Sequence, residues 1–130
     1  MTTTYSIVPL SGSTDFRGIK ITTTASPGDT VHTAQASATL PDLVTLRLTN
    51  TDTTARPYKV QWGGTTSPDD FAFEGVLLPG QSRLICHQTP IRNALVVKVA
   101  SITLTWIDGV SYTGAANVLV AHGQVQRQLT

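Results

Sequence analysis

Residues 43–62 constrain the fold more than any other stretch. Val44, Leu46 and Leu48 alternate with Thr45, Arg47 and Thr49, the period-2 pattern of a strand with one buried face. The polar string Asn50-Thr51-Asp52-Thr53-Thr54-Ala55-Arg56-Pro57 follows, and then Tyr58, Val60 and Trp62 fall on one side with Lys59 and Gln61 on the other. Two alternating runs about a turn-forming segment predict an antiparallel hairpin. Pro57 suits the start of the second run, where a missing N–H costs the ladder little, and Gly63-Gly64 ends it. This is the largest apolar face in the chain, so it is expected at the centre of the core.

The remainder repeats the period in shorter pieces. Tyr5-Ser6-Ile7-Val8-Pro9-Leu10 contains a proline that limits it to an edge strand or an extended arm. With Ser11-Gly12-Ser13 behind it, residues 1–13 are expected to form an extended N-terminal arm. Ile19 and Ile21 alternate with Lys20 and Thr22, and Ser26-Pro27-Gly28-Asp29 is a turn. Ala34, Ala36, Ala38 and Leu40 occupy alternate positions of residues 31–40, which fits a strand better than an ordered loop. Thr65-Thr66-Ser67-Pro68-Asp69-Asp70 reads as a polar loop, residues 71–78 as a weak strand, and Pro79-Gly80-Gln81 as its stop. Leu84 and Cys86 share one face of residues 83–87. Leu95, Val97 and Val99 share another, opposite Lys98. Ile102, Leu104 and Trp106 alternate with Thr103 and Thr105, Asp108-Gly109 marks a tight turn, and residues 110–112 pair back. Residues 117–125 close the sheet.

No window of a dozen residues carries the 3.6 period of an amphipathic helix. Short strands spaced by turn signals predict an all-β chain: one antiparallel β-sandwich over residues 1–130, of about eight strands, immunoglobulin-like or jelly-roll-like. The expected core is Val44, Leu46, Leu48, Val60, Trp62, Leu95, Val97 and Leu104.

A chain of 130 residues is long enough to bury an ordinary core. Its single cysteine, Cys86, rules out an intramolecular disulfide framework. Nine Lys and Arg against eight Asp and Glu leave no basic surplus for a nucleic-acid backbone. Only 13% of residues are charged, against about a quarter in ordinary soluble domains. Threonine and serine carry the polarity instead, as suits a surface that neighbouring subunits will cover. Met1-Thr2-Thr3-Thr4-Tyr5 has neither the basic nor the apolar region of a signal peptide, and no run approaches the roughly 20 apolar residues of a membrane helix. Synthesis in the cytoplasm, with no membrane contact, is the expectation.

The candidates for chemistry all have a plainer role. His32, His87 and His122 lack metal-site spacing and read as surface or edge histidines. Cys86 lies on an apolar strand face, where a small hydrophobe is the usual role. Asp29, Asp69 and Asp70 fit turn or capping duty better than calcium binding. Trp62, Trp106 and Tyr112 could stack on a sugar, but both tryptophans fall on inward-facing registers, which favours core packing. Gly63-Gly64-Thr65-Thr66 lacks the lysine of a phosphate loop. No catalytic, cofactor-binding or metal site is expected, and hence no enzyme.

Four strings together go beyond a generic sandwich: Leu46-Arg47-Leu48-Thr49-Asn50-Thr51-Asp52, Tyr58-Lys59-Val60-Gln61-Trp62-Gly63-Gly64, Leu77-Leu78-Pro79-Gly80-Gln81-Ser82 and Ala94-Leu95-Val96-Val97-Lys98-Val99-Ala100-Ser101. Over roughly residues 40–125 the chain resembles the small β-sandwich structural proteins of tailed-bacteriophage virions. Asn50 would bond local backbone where a strand ends, and Pro79-Gly80 would make a corner.

The resemblance implies a head decoration (cement) protein located in the virion, docked on the major capsid protein or other virion proteins. A neck or tail component is the alternative, and a carbohydrate-binding or host-recognition module is a further one. A homotrimer on three-fold capsid sites is expected, because linked copies gain effective concentration. Tyr5, Ile7, Val8 and Leu10 of the arm are the expected partner contacts, since apolar residues on an arm are a liability unless buried.

Overall fold

The computed structural model describes residues 2–64 and 73–130. The loop expected at residues 65–70, the first two residues of the weak strand, and with them Asp69 and Asp70, lie outside the described residues.

Eleven strands and no helix occur among them. In chain order they are β1 (Tyr5–Val8), β2 (Ile19–Lys20), β3 (Asp29–Thr33), β4 (Asp42–Asn50), β5 (Arg56–Trp62), β6 (Phe73–Leu77), β7 (Ser82–Ile91), β8 (Val96–Ala100), β9 (Leu104–Thr105), β10 (Ser111–Tyr112) and β11 (Leu119–Gln128). One sheet runs β1-β11-β4-β7, with β2 beside β1 on the same flank of β11, and the other runs β3-β8-β5-β6. All pairings are antiparallel. If β1 and β2 are counted as one interrupted edge strand and the small β9–β10 hairpin is set aside, eight strand positions remain. Their order, first-eighth-third-sixth over second-seventh-fourth-fifth, is that of a jelly roll rather than an immunoglobulin sandwich.

This topology corrects the expected hairpin. β4 and β5 are not neighbours: β4 lies between β11 and β7, whereas β5 lies between β8 and β6. The polar string after Asn50 carries the chain across the sandwich from one sheet to the other. Period 2 shows that a strand buries one face, and both strands do so against the same core from opposite sides. Val44, Leu46 and Leu48 come from one sheet and Tyr58 and Val60 from the other, joined by Leu77, Val97, Val99, Leu119, Ala121 and Val125. Trp62 is only partly buried, packing edge-on against Phe73 with ring centroids 6.1 Å apart.

Other expectations shift for local reasons. β3 ends at Thr33, and residues 34–41 form an ordered loop rather than a strand; Ser37 Oγ accepts the N–H of Leu40 (3.0 Å) in a turn. Ala36 and Ala38 are exposed there. Leu95 is 43% exposed, because Asn93 and Ala94 both take positive φ (62° and 56°) in the turn before β8. Leu84 parts from Cys86 through a β-bulge: Leu46 faces Cys86, but the next residue, Arg47, faces Leu84, so the extra residue Ile85 turns Leu84 outward. Leu104 and Trp106 leave the core for the β9–β10 hairpin, where both are half-buried. That hairpin closes as the Asp108-Gly109 signal predicts, with Gly109 at φ 81° and its N–H on the Trp106 carbonyl (2.9 Å).

Candidate functional site

A polar cluster lies at the end of the sandwich where β3, β4 and β11 meet the N-terminal segment. Asp42 is the first residue of β4 and shares the inward parity of Val44, Leu46 and Leu48. Its carboxylate is wholly buried. Arg127, on the inward parity of β11 directly opposite, meets it with Nε on Oδ1 (2.8 Å) and a second guanidinium N–H on Oδ2 (3.0 Å). From β3, the equally buried His32 places Nε2 2.8 Å from Oδ2, and the Gln35 N–H donates to the same oxygen (3.1 Å).

The tautomer of His32 follows from its second nitrogen. Nδ1 accepts the backbone N–H of Ser11 (3.0 Å), so it carries no proton, and Nε2–H donates to Asp42. Burial holds the His32 pKa below its ordinary value, against the opposing pull of Asp42. For Asp42, burial alone would raise the pKa, but the hydrogen bonds from Arg127 and His32 prevail and hold the carboxyl below the usual carboxylate range. Neutral histidine, carboxylate and guanidinium therefore form one satisfied unit. Although Ser11, His32 and Asp42 are the residue types of a hydrolase triad, Ser11 Oγ accepts the Thr33 N–H (2.6 Å) and the imidazole is sealed from solvent. The arrangement ties elements together and presents no nucleophile. His32 is thus buried and not the surface or edge histidine that the sequence predicts, whereas His87 and His122 are exposed. The available signal was Asp42 on a buried parity, since a carboxylate there demands a partner.

The expected N-terminal contacts divide. β1 is a paired edge strand, with Tyr5 opposite Gln128 and Val8 opposite Val125, not a free arm. Tyr5 and Ile7 point outward and are 45% and 51% exposed, Val8 is half-buried against the core, and Leu10 is 1% exposed within it. Leu10 is thus excluded as a contact: the core already takes its side chain. Beside Tyr5 and Ile7 the outward positions of β4 and β11 are dominated by threonine and glutamine, with Arg47 the one formal charge.

A second apolar feature stands on the β9–β10 hairpin, where the sequence predicts none. At the tip of the β9–β10 hairpin Ile107 is 93% exposed, and Val110 is also exposed. The tip is well made, because Asp108 Oδ1 accepts the Val110 N–H (2.9 Å) and Trp106 N–H reaches the Val110 carbonyl (2.9 Å). Leu104, Trp106, Val110 and Tyr112 share one hairpin face by register, opposite Thr105 and Ser111.

Beneath the hairpin, Lys59, Glu74, Ile102, Thr103 and Leu104 line a groove of about 130 Å³, well under the several hundred Å³ of a typical small-molecule site. Cys86 is buried, and burial pushes its thiol pKa up, against hydrogen bonds from Thr89 and the Leu46 backbone; such a thiol is a poor nucleophile. Asp29 caps locally, its carboxylate accepting from the Thr22 N–H and hydroxyl. Among the described residues no three His, Cys, Asp or Glu side chains gather in a metal-holding group, and no helix is long and apolar enough to cross a membrane. Comparison with known protein families, curated proteins and solved structures finds no match to this chain.

Proposed function

We propose that this chain is a non-enzymatic structural protein of a tailed-bacteriophage virion, a decoration protein that docks as an oligomer on the capsid lattice and stabilises the head. The observation that carries the reading is Ile107, almost wholly exposed on a tightly closed hairpin tip. A sandwich that buries its core this completely has no folding use for an apolar side chain in water. A partner surface does. Tyr5 and Ile7 on the edge strand add a second apolar contact, next to a face of threonine and glutamine that desolvates at less cost than charged side chains. Jelly rolls build capsid and lectin domains alike, so the fold is compatible with the reading by analogy only. Attachment through apolar burial and strand addition should tolerate salt.

Purified protein mixed with empty capsids tests the proposal directly. Electron microscopy should place it on the capsid surface at hundreds of copies, and sedimentation should show a trimer at micromolar concentration. Six or twelve copies at one vertex would assign it to the neck or tail instead. No particle binding at all would refute the virion role.

A second reading draws on the half-exposed Trp106 and Tyr112, which stand on one hairpin face. Aromatic rings so placed suit sugar stacking in a host-recognition module. A glycan array separates the two, since a decoration protein binds capsids and no sugar.

A further inference from the structure

The cluster around His32 has a consequence for the N-terminal segment that goes beyond docking. We propose that His32 is an acid-sensitive latch: protonation of its imidazole releases Ser11, and with it edge strand β1, while the remaining strands of both sheets stay paired.

The geometry carries this. Nδ1 is the acceptor for the Ser11 N–H, so an added proton at Nδ1 would set two donors against each other at 3.0 Å. The imidazole cannot turn to relieve the conflict without breaking its bond to Asp42. The charged groups facing it are Asp42 from β4 and Arg127 from β11, and the loop that bears Ser11 offers only backbone and a hydroxyl. Asp42 would welcome an imidazolium, yet both its oxygens already accept from Arg127, whose own positive charge opposes a second cation there. Burial also lowers the His32 pKa, so protonation is coupled to opening.

The segment that yields is the one most easily lost. Besides Ser11 N–H, it is held by the four-residue β1 ladder to β11, by Gly12 N–H on the Val31 carbonyl (3.0 Å), by Ser11 Oγ and by Leu10 in the core. β11 keeps its nine-residue register with β4 when β1 leaves. Edge elements with few bonds open at lower free energy than central strands. Release would free Tyr5, Ile7, Val8 and Leu10 together, turning a paired edge into the extended arm that the sequence suggests.

Amide hydrogen exchange on the full chain, corrected for intrinsic rates, tests the latch between about pH 7.5 and about pH 5, the range in which histidine titrates. Residues 5–12 should lose about tenfold more protection than residues 44–48 of β4. His32→Gln should abolish that difference, and a double His87→Gln/His122→Gln variant should keep it. If His32→Gln does not fold, imidazole NMR of the wild-type chain decides: Nδ1 unprotonated at neutral pH, with the His32 titration coinciding with the loss of protection. Uniform loss of protection across β1 and β4, no loss at all, or an opening midpoint that tracks His87 or His122 would overturn the proposal.

Discussion

Asn50 Nδ2 donates to the Leu77 carbonyl at 3.0 Å, joining the end of β4 in one sheet to the end of β6 in the other. The same amide reaches the Thr54 carbonyl (2.9 Å), and its Oδ1 accepts the Asp52 N–H (2.9 Å). Asn50 is wholly buried, and its backbone also exchanges bonds with Gly80 and Gln81 of the β6–β7 corner. One side chain thus fixes the crossing from β4 to β5 and the corner beside it.

Asn50→Ala should therefore destabilise the fold by roughly 2–4 kcal/mol, because the Asp52 N–H loses its acceptor and the Thr54, Leu77 and Leu78 carbonyls lose a donor. Asn50→Asp should cost more, since a carboxylate would face those carbonyls. Urea unfolding followed by tryptophan fluorescence measures both, and a loss near zero for the alanine variant would contradict the role given to this side chain.

Arg127→Ala leaves the Asp42 carboxylate buried without its guanidinium and should cost about 3 kcal/mol at neutral pH. The acid limb of the stability curve has a defined sign. The folded-state pKa of Asp42 lies below the ordinary carboxylate value of 3.8, so its contribution is present above that value and fades as pH falls through the depressed pKa. His32 acts in the same direction: its folded-state pKa lies below 6.5, so the unfolded chain takes up the proton first and stability declines as pH drops below about 6.5. Denaturant midpoints across pH 3–8 should fall in two stages towards acid, and the lower stage should shrink in Arg127→Ala. Stability that rises on acidification would contradict this assignment.

Cys86 offers a clean probe of opening. Burial both shields the sulfur and raises its pKa, so reaction with a disulfide reagent requires the core to open. Labelling of the native protein should run at least about a thousandfold slower than in urea, as expected for a domain of ordinary stability. Reaction at the rate of a free thiol would show that β4 and β7 separate readily.

The sequence makes some of these features plain and hides others. The buried faces of β4 and β5 are legible because Leu46, Leu48 and Val60 stand between polar neighbours, and that of β8 because Val97 and Val99 flank Lys98. Which strands pair is not legible: a jelly roll places sequential runs in opposite sheets, and the period is the same either way. The bulge that turns Leu84 outward is equally silent, because one extra residue in β7 leaves no compositional mark. Asn50 is readable as a strand-end residue. Its bond to Leu77, 27 positions away, depends on the fold. The His32 cluster is assembled from residues 11, 32, 42 and 127, so only the misplaced parity of Asp42 announces it. Ile107 is hidden for the opposite reason, since an apolar residue beside Trp106 looks like core until the hairpin is seen to stand clear.

Ile107 also provides the sharpest separation of stability from docking. With 93% of its surface exposed, Ile107→Ser should leave unfolding free energy within about 0.5 kcal/mol of the parent. If the hairpin tip anchors the protein on a capsid, the same change should weaken binding to empty particles by about tenfold or more. Tyr5→Ser and Ile7→Ser form an independent pair, since both side chains point away from the core on an edge strand; they should weaken binding without altering the β1 register. Sedimentation of each variant shows whether the loss lies in capsid contact or in contact between copies. Capsid binding unchanged in Ile107→Ser and in the Tyr5→Ser/Ile7→Ser chain alike would remove both apolar features from the mechanism, and with them the structural basis for a docking protein.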